Sequence, residues 1–170
     1  MTNWKFLFDS DICIGCAACE VACKIENEVP LGRRRREVVT VEKGEYPKVE
    51  KYFASMACMH CATPPCLTAC PVKAISKRED GLVLVDKDKC IGCGYCAWAC
   101  PYGAPQLGTS GETGKLATMD KCTFCVQRID RGEKPACVTA CTTKALIAGD
   151  ASELETIKRE RAARKLISIA

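Results

Sequence analysis

The chain has 170 residues, a formal net charge of +4, 27% charged residues and only 6% aromatics. Sixteen of the residues in its 48% hydrophobic fraction are Cys, so a chain this poor in large core side chains is marginal unless something else ties its interior. Length allows one compact domain or two small fused modules. The uncharged run covering Cys90 to Ser110 is too dense in Cys, Gly and Pro for a membrane helix.

In chain order, Trp4 to Phe8 reads as a short apolar strand. It leads into a first quartet, Cys13, Cys16, Cys19 and Cys23. Pro30 to Pro47, with the run Arg33 to Arg36, reads as a loop. A second quartet follows at Cys58, Cys61, Cys66 and Cys70, then a second short strand in Gly81 to Asp86. The third quartet is Cys90, Cys93, Cys96 and Cys100. A Gly-, Thr- and Ser-rich loop from Gly103 to Gly114 precedes the fourth, Cys122, Cys125, Cys137 and Cys141. Ser152 to Ala170 reads as a helix, with Ser152 and Glu155 as a capping box and Leu154, Ile157, Leu166 and Ile167 as a partial apolar stripe. Each quartet closes with C-x3-C, a step that suits one helical turn.

The chain also repeats itself. The stretch from Phe8 to Cys23 parallels that from Val85 to Cys100, and Cys66-Leu-Thr-Ala-Cys70 parallels Cys137-Val-Thr-Ala-Cys141. Two copies of a two-quartet unit is the economical reading.

Sixteen cysteines leave three chemistries: disulfides, zinc or iron–sulfur clusters. The start of the chain reaches Asp9 before any long apolar run forms, so no export signal is expected. A reducing cytoplasm then disfavours eight disulfides. Zinc knuckles pair two ligands with two and have no need of a third and fourth Cys at these spacings. A 4Fe-4S cubane instead needs four thiolates. C-x2-C-x2-C wraps three irons from one loop, and the fourth Cys, carried off by a helix, ligates the neighbouring cluster in two-cluster ferredoxins.

The first and third quartets have this spacing in full. The second and fourth stretch one gap, Cys61 to Cys66 and Cys125 to Cys137. Four 4Fe-4S clusters are therefore expected. Exchange of fourth ligands within a Cys58–Cys100 unit gives the sets Cys58, Cys61, Cys66, Cys100 and Cys70, Cys90, Cys93, Cys96. The remaining quartets then give Cys13, Cys16, Cys19, Cys141 and Cys23, Cys122, Cys125, Cys137. The nineteen residues from Pro71 to Lys89 suit one such unit, although spacing alone still allows the first quartet to pair with the second and the third with the fourth.

The segments Cys58-Met-His-Cys-Ala-Thr-Pro-Pro-Cys66, Cys90 to Pro105 and Cys122-Thr-Phe-Cys125 resemble the four-cluster iron–sulfur subunits of the dimethyl sulfoxide reductase and formate dehydrogenase group of molybdenum and tungsten oxidoreductases. The resemblance runs from Phe6 to about Asp150. Small electron-transfer subunits of tungsten aldehyde oxidoreductases are also similar.

The resemblance implies that the first quartet pairs with the fourth. The implied fold is α+β, with two ferredoxin-like two-cluster modules related by a pseudo-twofold. Residues 1–55 plus 101–150 would form an outer module from both chain ends, 56–100 an inner module, and 151–170 a helical tail. It also implies a pterin-metal catalytic subunit and a further redox subunit, flavin or other, as partners, in the cytoplasm, with stacking of copies into longer wires as an open option. A free-standing polyferredoxin is the alternative function, and a zinc-stabilised interaction module the alternative class. Pro is absent after Cys23 and Cys141, where Lys24 and Thr142 stand.

His60, the single histidine, lies between two cysteines of a quartet that is already complete, so a supporting or solvent-facing role is expected rather than ligation. Arg33 to Arg36 reads as a solvated loop, with a docking surface next and a nucleic-acid patch as the remaining option. Trp98 reads as a shield for a cluster. No phosphate loop, nucleophile triad or carboxylate pair is present, so catalysis, nucleic-acid binding and a membrane span are not expected of this chain.

Overall fold

The structure is a computed structural model that describes residues 2–108 and 118–169. Residues 109–117, which include the second half of the expected Gly103–Gly114 loop, lie outside the described residues, as do Met1 and Ala170. The architecture is small α+β, assembled from two-stranded antiparallel ladders and short helices.

Strand β1 (Trp4–Phe8) pairs with β8 (Leu146–Asp150), from Trp4 opposite Asp150 to Phe8 opposite Leu146. The two ends of the chain therefore share one ladder. Strand β2 (Arg36–Lys43) pairs with β3 (Glu50–Ala57) in a long hairpin. This corrects the expectation of a loop over Pro30 to Pro47. The β-branched residues Val38, Val39, Thr40 and Val41 favour an extended backbone. The turn opens at Gly44 (φ +91°), where a Cβ would come within 2.2 Å of the Lys48 carbonyl oxygen, so only Gly fits. Two further ladders join β4 (Ile75–Lys77) to β5 (Val83–Val85) and β6 (Gln106–Leu107) to β7 (Met119–Asp120).

The C-x3-C steps do form helical turns: α1 (Ala18–Glu26), α2 (Pro65–Thr68), α3 (Tyr95–Ala99) and α5 (Ala136–Thr139), with α4 (Val126–Ile129) in the long gap of the fourth quartet. Helix α1 packs on α5, which draws the first and fourth quartets together. The main core joins Leu82, Phe124, Ile129, Val138, Leu146 and Ala148, with Trp4, Phe6 and Phe8 of β1 against it. Cys137 lies in this core, and Cys66 and Cys96 lie in a second one with Ile75, Val83 and Met119. Thiols thus occupy places where a larger domain would put aliphatic side chains.

Helix α6 (Ala151–Ile169) follows β8 directly and packs on β1 and β8. Its cap is Asp150, which accepts from the Ser152 amide at 3.0 Å and from the Ser152 hydroxyl at 2.6 Å. The expected Ser152–Glu155 capping box is therefore corrected: the last strand residue already supplies the acceptor the first turn needs. Leu154 is buried, whereas Leu166 and Ile167 are exposed, so the apolar stripe is covered only at its start.

Candidate metal centres

The four cysteine loops share one backbone device. The residue just before the second Cys of every quartet is left-handed: Gly15 (φ 68°), His60 (φ 43°), Gly92 (φ 72°) and Phe124 (φ 61°). Left-handed residues in such a turn point successive amides inward, making a concave nest for an anion. His60 and Phe124 hold this conformation without being Gly, which costs backbone energy and marks the loops as built for a purpose. Amides also reach sulfur directly. Phe124 donates to Cys122 Sγ at 3.3 Å, Ala74 to Cys70 Sγ at 3.3 Å, Met119 to Cys90 Sγ at 3.4 Å and Leu146 to Cys141 Sγ at 3.4 Å.

Tertiary packing groups the cysteines across quartets. Cys58, Cys61, Cys66 and Cys100 line one pocket, walled by Pro64, Pro65, Pro101 and Lys121. Cys70, Cys90, Cys93 and Cys96 line a second, walled by Ile75, Val85, Leu107 and Met119. In both, the fourth sulfur comes from the neighbouring quartet. Cys23 lies among Cys122, Cys137 and Cys125, and the Asn27 side-chain amide reaches both Cys125 Sγ (3.6 Å) and Cys23 Sγ (3.9 Å). Cys19 and Cys141 pack against the same core, and the Asp9 amide donates to the Ala145 carbonyl at 2.9 Å, holding the first loop beside the strand after Cys141. Cys13 and Cys16 lie on that loop, half-buried and exposed respectively.

The chemistry of these thiols fits a metal cluster. Burial, then the neighbouring thiols, pushes Cys23 up to about 12, and burial pushes Cys122 up to about 12 as well. Such groups stay protonated at neutral pH, and metal binding is what makes a buried thiol give up its proton. At Cys141 burial acts upward, but the Leu146 amide and the Thr143 hydroxyl outweigh it and hold the thiol below its ordinary range. Among the described residues no three His, Cys, Asp or Glu side chains stand close enough for a single ion. Four sulfurs line each of the two pockets, the number of thiolates that a 4Fe-4S cubane takes.

His60 is buried and uncharged. Burial first, then Lys121, Lys5 and Arg36, lowers its pKa to about 3. Its Nδ1 accepts from the Val83 amide at 2.9 Å, and its ring meets Phe124 edge-on at 5.4 Å. It therefore ties its own loop to β5 and packs it against the loop of the fourth quartet.

The solvated-loop reading of Arg33 to Arg36 is corrected at its end. Arg34 is exposed and pairs with Glu37, but Arg35 pairs with the buried Asp120 at 2.9 Å, and Arg36 is itself buried. Strand alternation gave no signal of this, because Arg34 and Arg36 would share a face and β2 is buried only at its start. Trp98 is 92% exposed, so it shields nothing within this chain. Sequence reasoning also passed over Lys121, which is buried and donates to the Val83 and Cys122 carbonyls, and Ser55, whose hydroxyl is 3.4 Å from Cys19 Sγ.

Two family models match, each described as a 4Fe-4S dicluster domain, one over residues 49–151 and the other over 12–74. They overlap at the second quartet, so their limits do not themselves divide the quartets into pairs. The sequence is 46% identical to the formate dehydrogenase iron-sulfur subunit of Wolinella succinogenes, over 95% of this chain and 88% of that one. It is 39% identical to a sulfite dehydrogenase subunit of Allochromatium vinosum (98% and 78% covered). With an anaerobic dimethyl sulfoxide reductase chain of Escherichia coli it shares 41% identity (90% and 76% covered). Matched over nearly its whole length to such subunits, this protein belongs to the 4Fe-4S dicluster family: it is a four-cluster iron–sulfur electron-transfer subunit, with catalysis in a partner.

Proposed function

We propose that this chain passes single electrons between a molybdenum- or tungsten-pterin catalytic subunit and a further redox subunit carrying flavin or another electron carrier. The proposed ligand sets are those that quartet exchange gives: Cys13, Cys16, Cys19, Cys141; Cys23, Cys122, Cys125, Cys137; Cys58, Cys61, Cys66, Cys100; and Cys70, Cys90, Cys93, Cys96. Bound there, the clusters supply one-electron carriers, and the chain's part is to space them, exclude water and meet the partners. The outer module would be residues 1–55 plus 101–150 and the inner one 56–100, related by a pseudo-twofold. Pairing of β1 with β8 supports this, since it unites the two chain ends.

The burial pattern carries the reading. Only Cys16 and Cys93 of the sixteen cysteines are exposed, and they hold equivalent places in the first and third quartets. Between them, Cys58 and Cys122 pack in one buried cluster and join the two modules. The set with Cys16 and the set with Cys93 then form the two ends of a row. Each end carries an exposed apolar collar, Ile14 and Val21 beside Cys16, and Ile91, Tyr95 and Trp98 beside Cys93. Exposed apolar side chains gathered at two poles favour two protein partners.

We place the chain in the cytoplasm, where a reducing environment keeps sixteen ligand cysteines from pairing as disulfides before the clusters bind. Among the described residues no helix is long and apolar enough to cross a membrane. The test is anaerobic purification of the native complex with metal analysis. A co-purifying subunit with molybdenum or tungsten is expected. Recovery of the chain alone, with all clusters and no catalytic subunit, would favour a free-standing polyferredoxin, and a ladder of sizes for the isolated chain would show that copies stack.

A further inference from the structure

Arg36 opens β2 with its side chain turned inward, 3% exposed. Its guanidinium lies 4.6 Å from the Phe6 ring centroid, and Nη1 donates to Ser55 Oγ at 2.9 Å and to the Ser55 carbonyl at 3.3 Å. Nε and Nη2 are buried and have no hydrogen-bond partner. A buried cation with two unmatched donors is expensive unless an anion meets it. The carboxylates nearby in sequence and space are taken by its neighbours, Glu37 by Arg34 and Asp120 by Arg35. The ionisable groups acting most strongly on Arg36 are the thiols of Cys137, Cys122, Cys19 and Cys23, and the Ser55 hydroxyl it holds lies 3.4 Å from Cys19 Sγ.

In the ligand sets proposed above, on which this rests, Cys19 belongs to one outer cluster and Cys23, Cys122 and Cys137 to the other. We infer that Arg36 is the shared counter-charge of the two outer clusters, its Nε and Nη2 hydrogens meeting their sulfurs, and that it holds both at higher reduction potentials than they would otherwise have. Each added electron makes a cluster more negative by one unit. A fixed cation in a poorly polarisable interior favours the reduced form over the oxidised one. Hydrogen bonds to cluster sulfurs act in the same direction, and both are recognised determinants of potential. Ser55 extends the device, because the hydroxyl that holds Arg36 Nη1 also touches Cys19 Sγ. One side chain therefore sets the two outer clusters together.

Potentiometric EPR titration of the full holo chain tests this with Arg36→Met and Arg36→Lys. Arg36→Met should lower the outer potentials by at least a tenfold change in the oxidised-to-reduced ratio, about 59 mV for a one-electron couple. Arg36→Lys should lose less than half of that, and neither variant should move the clusters of the Cys58–Cys100 unit. Outer potentials unmoved in an Arg36→Met chain with its full iron content overturn the inference. If Arg36→Met fails to assemble, pulsed EPR of the wild-type chain with isotope-labelled arginine decides. Nitrogen coupling to a reduced outer cluster, lost in Arg36→Lys, supports the role, and its absence refutes it. A wild-type chain that lacks the outer clusters altogether refutes the ligand sets instead, and the iron count separates that failure from this one.

Discussion

Replacing Cys141 with Ser tests whether the first and fourth quartets share their clusters. Cys141 follows α5, which packs on α1, and its sulfur is half-buried beside the first loop. The other three cysteines of its quartet, Cys122, Cys125 and Cys137, are buried near Cys23. Each cubane holds four irons, so the full chain should carry about sixteen. Cys141→Ser should leave about twelve. Which cluster is lost follows from non-additivity. If Cys13 and Cys141 serve one cluster, the Cys13→Ser, Cys141→Ser double variant also keeps about twelve irons, because the second change finds nothing left to remove. If they serve different clusters, it keeps about eight. The same cycle on Cys23 with Cys122 should give about twelve, and on Cys141 with Cys122 about eight. Anaerobic iron and sulfide analysis reads the counts, and low-temperature EPR checks that signals of the Cys58–Cys100 unit persist. A Cys141→Ser, Cys122→Ser double variant holding about twelve irons would refute the exchange and leave each quartet self-contained.

Phe124 is fully buried and stacks on Phe6 at 4.1 Å, so Phe124→Ala should cost about 3–5 kcal/mol. Anaerobic guanidinium titration followed by tryptophan fluorescence measures it, and a cost below about 1 kcal/mol would contradict the packing described. Asp120→Ala strands Arg35, only 10% of whose side chain is exposed, and should destabilise by roughly 3 kcal/mol in the same assay. Iron removal should collapse the far-ultraviolet helix and strand signal, because ligation supplies stability that so small an apolar core does not. Native-like amide dispersion in the NMR spectrum of the apo chain would contradict that dependence.

Local chemistry was legible in the residues. C-x2-C-x2-C states that three thiolates come from one loop, and C-x3-C states that a helical turn carries the fourth, because both are consequences of backbone reach over a few residues. The strands at Trp4–Phe8 and Val83–Val85 were legible for the same reason, as short apolar runs bounded by turn residues. The β2–β3 hairpin was missed because an arginine run and two prolines resemble a loop, and strand alternation offered no warning of a buried Arg36, since it would set Arg34 and Arg36 on the same face.

Other features have no local signature. That Cys100 lines a pocket with Cys58, that β8 returns to β1, and that Trp98 faces outward each depend on which segments meet. Those meetings are decided by burial of a shared core around Phe124 and Leu82, a sum over contacts distant along the chain. A buried arginine is the sharpest instance. Its sequence neighbours made it look solvated, and only the tertiary structure brings Cys19, Cys23, Cys122 and Cys137 around it, where the proposed clusters supply the anionic charge.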